Sequence, residues 1–291
     1  MQITENIHAL KIPFPSIGSG GQRVERFVFV YFIYGKRICM IDSGVSSSFS
    51  DIVDYLNSSG RSPKQIDLLI FTHSHPDHIG AGQMIKKISH CRTAAYPLAR
   101  SWIEDIDLQY RMRPTGTFYS LVAGSVDIDR VLEDGDQIEF EDGQSLYVYH
   151  TPGHSKDSIS LFHEQDGVLF AGDTIPVPGD RPLYEDVLNL IQSIRKLREV
   201  KGIRVLCSSW LDPVYGDRIR SEIDRSLEYI QYVHEVTRKI YIKFPSLDSK
   251  ELCSRILETL NQPELPNVVT SIKAHLRLKD CPDLTSIPLS L

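Results

Sequence analysis

The chain is poor in the features that would tie it to an oxidising compartment, a bilayer or a polyanion. Its five cysteines, Cys39, Cys91, Cys207, Cys253 and Cys281, are odd in number, scattered, and never form a C-x-x-C pair. That usage fits reduced thiols, each a small apolar core residue, in a cytoplasmic protein rather than a disulfide framework. No uncharged apolar run is long enough to span a bilayer, and MQITENIHALKIPF lacks the basic start and continuous apolar stretch of a secretion signal. Basic charge is also short. With 32 Lys and Arg against 38 Asp and Glu the net charge is −6, so no nucleic-acid or membrane partner is expected. The locally basic RKLREVKGIR (195–204) reads as a solvated helix face.

Several chemistries lack their residues as well. There is no G-x-S-x-G elbow for a serine nucleophile. Ser-Ile-Gly-Ser-Gly-Gly (16–21) is not followed by the Gly-Lys-Ser/Thr of a phosphate-cradling loop. Asp42-Ser43-Gly44 has no second Asp-Ser/Thr-Gly to share a proton with, so Asp42 reads as a strand-end structural residue.

What the chain has is an ordinary globular composition, 41% hydrophobic and 24% charged over 291 residues, enough for a real core. RFVFVYFIYGKRICMID (26–42) reads as a buried hairpin around Tyr-Gly-Lys-Arg. Further strands are expected at 66–71, 137–140, 144–150 and 203–209, with Glu-Asp-Gly as the turn after 140, and 158–172 repeats that hairpin pattern. Helices are expected over 51–60, 82–89, 185–200 and 216–243, and two more after Phe244-Pro245. Hairpins followed by alternating strands and helices imply an α/β layered fold with mixed sheets. The expected division is a catalytic domain over 1–215 and a helical C-terminal extension over 216–291, the latter capping a cleft or pairing with a second copy.

The informative stretch is FTHSHPDHIG (71–80), which packs His73, His75, Asp77 and His78 into six positions directly behind an apolar strand. SLYVYH is followed by Thr151-Pro152-Gly153-His154, and GVLFAG by Asp173. Three strands thus end in imidazole or carboxylate, the way a sheet gathers distant ligands at one edge. Pro76 keeps the cluster out of a helix interior, and His73 and His75, two apart in extended chain, can face one way. Such donors suit Zn²⁺, with Fe²⁺ or Mn²⁺ as alternatives.

His73-x-His75-x-Asp77-His78 resembles the metal signature of the metallo-β-lactamase superfamily. TPGHSKDSISLF (151–162), LFAGDTI (169–175) and MIDSG (40–44) are similar to further blocks of it, closest in style to the glyoxalase II (hydroxyacylglutathione hydrolase) branch. The resemblance covers about residues 1–210 and implies an αββα four-layer sandwich with a metal cleft at one edge. It also implies that His73, His75 and His154 hold one ion, Asp77 and His78 a second, and that Asp173 bridges them. One further histidine is expected after IRVLCSS, where this chain reads Ser208-Ser209-Trp210-Leu211-Asp212-Pro213. The Trp210 indole has no lone pair for a metal and reads as an aromatic wall. Asp212 or a water completes the second site, or the site is mononuclear.

The activity implied is metal-dependent hydrolysis of a small-molecule thioester, ester, lactone or amide by hydroxide formed at the ion, with Asp77 orienting it. Alternatives left open are a mononuclear iron dioxygenase acting on persulfides, a phosphodiesterase on the same fold, and metal binding without catalysis. DLQYRMRPTGTFYSLVAGS (107–125) offers Tyr110, Arg111, Arg113 and Tyr119 for gripping a substrate, or is a plain surface excursion.

Overall fold

This computed structural model describes residues 1–17, 23–140 and 143–284. The chain opens with β1 (Ile7–Ile17) antiparallel to β2 (Arg23–Tyr34). β2 is apolar on both faces. Val28, Val30 and Phe32 point one way, into a cluster with helical residues, while Phe29, Tyr31 and Ile33 point the other way, towards a second sheet. A strand with no polar face belongs inside a layered stack, and that is where it lies.

β3 (Ile38–Ile41), β4 (Ile66–Ile70), β5 (Arg92–Ala95) and β6 (Arg130–Val131) extend the sheet in the order β1-β2-β3-β4-β5-β6. From β3 onward the pairing is parallel. Its outer face is covered by α1 (Ser48–Ser58), α2 (Pro76–Ile79), α3 (Gly82–Ser89), α4 (Pro97–Glu104), α5 (Ile106–Met112) and α6 (Phe118–Leu121), which contribute Ile52, Leu56, Ile85, Ile103 and Phe118 to the packing.

The second sheet runs β12-β11-β10-β9-β8-β7. Its strands are β7 (Gln137–Glu139), β8 (Ser145–His150), β9 (Ile159–His163), β10 (Val168–Phe170), β11 (Val205–Cys207) and β12 (Val214–Tyr215). Between the sheets lie Phe29, Tyr31, Ile41 and Ile70 from one and Leu146, Val148, Leu161 and Phe170 from the other, all buried. α7 (Val187–Arg198) and the start of α8 (Arg218–Lys243) cover the far face through Leu190, Ile194, Ile219 and Ile223. The architecture is the four-layer αββα sandwich. Further along, Tyr229, Val233 and Val236 of α8 pack with α9 (Ser249–Thr259) and α10 (Pro266–Arg277) in a separate apolar cluster. No helix among the described residues is long and apolar enough to cross a membrane.

Four strands escaped the sequence reading: β1, β5 and the two-residue β6 and β12. β1 carries Pro13 and Pro15, which argue against a strand, but it is the outer strand of its sheet, where missing N–H groups are tolerated. β5 is only four residues long and is held by parallel neighbours on both sides, a long-range effect. The expected Glu141-Asp142 turn and most of the glycine-rich 16–21 stretch lie outside the described residues.

Candidate metal centre

The C-terminal ends of β3, β4, β8 and β10 converge at one edge, the place where parallel α/β sheets present ligand-binding side chains. β3 runs into Asp42, β4 into Thr72–His78, β8 into the turn carrying His154, and β10 into Asp173. Two backbone bonds join the sheets here: Ile159 N–H donates to Thr72 C=O (2.8 Å) and Phe29 N–H to Ser209 C=O (3.1 Å). Pro76 opens α2 as its first residue, with His75 extended just before it, so His73 and His75 precede the helix while Asp77 and His78 sit in its first turn.

One potential ligand atom from each of His73, His75, His154 and Asp173 lies within 4.8 Å of all the others, and all four residues are buried. Asp173 faces two ways. Its Oδ2 is 3.3 Å from His154 Nε2 and 3.9 Å from His73 Nε2, while its Oδ1 is 3.3 Å from His78 Nε2. Asp77 Oδ2 is 3.8 Å from that same His78 nitrogen. The fold thus sets His73, His75 and His154 on one side of Asp173, and His78 and Asp77 on the other.

The partners of the remaining ring nitrogens fix where the protons are. His78 Nδ1 is 2.8 Å from Asp42 Oδ2, an acceptor only, so Nδ1 carries the proton. His154 Nδ1 donates to the Leu183 carbonyl at 2.6 Å. The Thr72 hydroxyl gives its hydrogen to Asp42 (2.8 Å), leaving a lone pair for His73 Nδ1–H at 3.1 Å. All three rings therefore turn an Nε2 lone pair inward. His75 differs: Arg113 Nη1 donates to its Nε2, and its Nδ1 faces His154 Nε2 at 2.8 Å.

Among the described residues, His73 Nε2, His78 Nε2 and Asp173 Oδ1 are buried without a hydrogen-bond partner. Buried polar atoms are normally satisfied, and acceptors that face acceptors call for a cation. In the ion-free chain a proton answers part of that demand. Burial pulls His78 down, but Asp173, Asp42 and Asp77 together hold it well above the usual imidazole range. Burial would raise Asp173, yet His78 and His154 keep it well below the carboxylate range. His73 is pushed well down by burial and then by His78, and His75 by burial and then by Arg113, which leaves both rings neutral. His73 can ligate through Nε2 as placed, and His75 through Nδ1 once its proton sits on Nε2 in place of the Arg113 contact. The donor set fits a divalent metal.

Asp212 requires a correction. Its carboxylate is 71% exposed and ion-paired with Lys11 at 2.8 Å, so it does not complete the second group. The reason is local: it follows Trp210, and Trp210 turns inward. Trp210 packs near Phe14 with ring centroids 6.3 Å apart, and the Arg26 guanidinium lies 4.2 Å over its ring. With His154, Asp173, Ile175, Arg181 and Leu183 it lines a small open cleft, as the aromatic wall expected of it. Of the four side chains singled out in 107–125, Arg113 contacts the cluster, and the buried Gln109 of the same stretch donates from Nε2 to the Ser74 carbonyl between His73 and His75. Arg111 pairs loosely with Asp105 (3.8 Å), and the Tyr119 hydroxyl donates to Asp107 (2.8 Å) on the exposed side.

Sequence reasoning missed the residues that orient the rings. Asp42 holds His78 Nδ1 and accepts from Thr72 N–H at 2.8 Å, from a backbone at φ 58° that a short polar residue tolerates. Asp157 accepts from Ser74 N–H at 2.9 Å and so fixes the chain between His73 and His75. Both residues stood inside quoted blocks, but nothing local assigns them partners 36 and 83 residues away. Asp42→Ala is expected to weaken metal affinity about 10- to 100-fold, the usual cost of losing such a partner. A chelator-competition titration checks this, and unchanged affinity would remove Asp42 from the site.

The sequence profile of the metallo-β-lactamase superfamily matches residues 23–209. A probable metallo-hydrolase of Methanocaldococcus jannaschii is 32% identical over 180 residues, 60% of this chain and 81% of that protein. The acyl-coenzyme A thioesterase MBLAC2 of Gallus gallus is 30% identical over 181 residues, 57% of this chain and 64% of the relative. A hydroxyacylglutathione hydrolase of Rhodopseudomonas palustris is 33% identical over 138 residues, 47% and 45% of the two chains. The chain thus matches less than two thirds of the length of these last two relatives. Among solved structures, a metallo-β-lactamase family protein from Thermus thermophilus shares the fold, with a TM-score of 0.71 at 19% identity over 94% of this chain and 93% of that one. With its profile match, its fold and its buried histidine–aspartate cluster, the chain belongs to the metallo-β-lactamase superfamily, as a metallo-hydrolase.

Proposed function

We propose that the protein hydrolyses a small-molecule thioester, ester, lactone or amide, thioesters first, with His73, His75, His154 and Asp173 holding a metal ion and Asp77 and His78 contributing a second position. The observation that carries this reading is the set of buried, unpartnered atoms His73 Nε2, His78 Nε2 and Asp173 Oδ1, beside a cleft that His154 and Asp173 line. The similarity to an acyl-coenzyme A thioesterase and a hydroxyacylglutathione hydrolase favours thioesters within that range.

A divalent ion held by His73, His75, His154 and Asp173 would supply a hydroxide nucleophile near neutral pH and polarise the scissile carbonyl. The chain's own residues supply the rest. Asp42, Thr72 and Leu183 hold the protons of three rings on the outer nitrogens, so that no ring reorganises during turnover. Asp77 is the residue assigned to orienting the attacking water and carrying its proton. Burial raises its pKa, with His78 opposing, which makes it a better proton acceptor than an exposed aspartate. Trp210, Ile175 and Leu183 give the cleft apolar walls for an acyl group.

Zn²⁺ is the proposed metal, with Fe²⁺ or Mn²⁺ as alternatives. Trp210 lies where another imidazole was expected and Asp212 is turned to solvent, which favours one firmly held ion over two. The deciding experiment is elemental analysis of protein purified without added metal, followed by assay on acyl-coenzyme A, S-acylglutathione, nitrophenyl ester and lactone panels. Expected is chelator-sensitive hydrolysis of at least one thioester, restored by the metal found. A fully metallated protein inert on every panel would sink the hydrolase assignment. One iron per chain with oxygen uptake on persulfides would replace it with the dioxygenase reading.

A further inference from the structure

The metal assignment of His154 gives the C-terminal helices a role beyond packing. We propose that α10 is a positioning element for His154, acting through Ser271 and the backbone of Leu183 and Tyr184. The proposal rests on His154 being a metal ligand, as above.

Ser271 is fully buried. Its hydroxyl accepts from Tyr184 N–H at 2.9 Å and donates to Tyr184 C=O at 2.8 Å, whereas the competing carbonyl in its own helix, that of Asn267, is 3.4 Å away. The hydroxyl is thus committed to the loop and grips both polar groups of one residue. One helical turn on, His275 Nε2 takes the phenolic hydrogen of the same Tyr184 at 2.7 Å. His275 is fixed in turn by His234 Nδ1 at 3.3 Å, and His234 Nε2–H by the Cys281 carbonyl at 2.7 Å. Every ring nitrogen and hydroxyl of this chain has a partner. It is a brace and not a proton relay, and burial, which lowers His275 and raises Tyr184, keeps both neutral.

The residue before Tyr184 makes the connection. The Leu183 carbonyl takes the His154 Nδ1 proton at 2.6 Å, and the Leu183 side chain packs against the cluster formed by α8, α9 and α10. Held that way, His154 directs its Nε2 at Asp173 Oδ2, 3.3 Å off. A carbonyl on the outer nitrogen fixes the tautomer of a ligating imidazole and raises its basicity, and loss of such a partner costs about 10- to 100-fold in metal affinity. Here the partner is a main-chain atom that no substitution deletes, and its placement is set from another layer of the molecule, 88 residues away along the chain at Ser271.

Zn²⁺ affinity of the full chain, measured by competition with a chromophoric chelator, tests this. Side-chain ¹⁵N spectra of His154 in metal-free protein provide a second readout. Ser271→Ala is expected to weaken Zn²⁺ binding about tenfold or more and to shift His154 away from a single Nδ1–H tautomer. Leu183→Ala keeps the backbone carbonyl that His154 donates to, loses the packing anchor together with one apolar wall of the cleft, and is expected to act on metal affinity and tautomer in the same direction. Ile256→Ala destabilises the same helical cluster from α9 and is expected to leave both readouts unchanged. Wild-type affinity and tautomer in both Ser271→Ala and Leu183→Ala would overturn the proposal. So would an Ile256→Ala protein that loses zinc as readily as Ser271→Ala. A wild-type protein that binds no metal would overturn the metal assignment instead, while the metal-free tautomer of His154 would still decide whether Ser271 positions the ring.

Discussion

Replacing Asp173 with alanine is expected to abolish turnover, by about 10³-fold or more, and to strip most bound metal. The size of the effect follows from where the two oxygens lie. Oδ2 faces His154 and His73, Oδ1 faces His78, and Oδ1 has no hydrogen bond, so one carboxylate serves both groups of donors. A 10³-fold loss corresponds to about 4 kcal/mol, within the several kcal/mol of charge stabilisation that a metal contributes to hydrolysis. Asp173→Asn separates the two halves of the role: the amide keeps one oxygen acceptor and turns a donor towards the other group. It is expected to retain more metal than the alanine variant and almost no activity. Elemental analysis with steady-state kinetics on the best thioester checks both. An alanine variant with full metal and full rate would remove Asp173 from the site.

The second large effect is on folding, and it lies beside His154. Gly153 has φ 135°, a conformation L side chains rarely adopt, and a Cβ placed on it would sit 2.3 Å from Leu190 Cα and 2.4 Å from Leu190 N. The obstacle is helix backbone and not a side chain that can swing away. The Gly153 carbonyl also accepts from Glu185 N–H at 2.8 Å and Asp186 N–H at 3.0 Å, tying the His154 turn to the start of α7. Strain at such a backbone position costs about 1–3 kcal/mol and forced overpacking a similar amount. Gly153→Ala is therefore expected to lose about 3–5 kcal/mol of stability, together with affinity for metal at His154. Urea unfolding measures the first and chelator competition the second. A loss under about 1 kcal/mol would mean that α7 can retreat from the turn at little cost.

The sequence by itself determined what depends on near neighbours and repeating pattern. β2 reads as a doubly buried strand because every residue from Val28 to Ile33 is apolar, and it is buried throughout. The histidine cluster is legible because its donors are packed into six positions behind a strand, and His154 and Asp173 because each follows a strand of its own. Such features survive in a linear reading since a strand end and a one-turn helix are local objects. Orientation is not local. That Asp42 would hold His78, that the carbonyl of Leu183 would hold His154, and that Arg113 rather than Arg111 would reach His75 depends on how layers stack across gaps of 36, 29 and 38 residues. Asp212 shows the same limit from the other side. It had the right chemistry at the right distance in sequence, but Trp210 packs inward by Phe14 and Arg26, and Asp212 lies in solvent beside Lys11. Apolar burial decides which residues of a loop face the cleft, because removing an indole from water is favourable while burying an unpaired carboxylate costs several kcal/mol, and only the packed layers reveal where that choice falls.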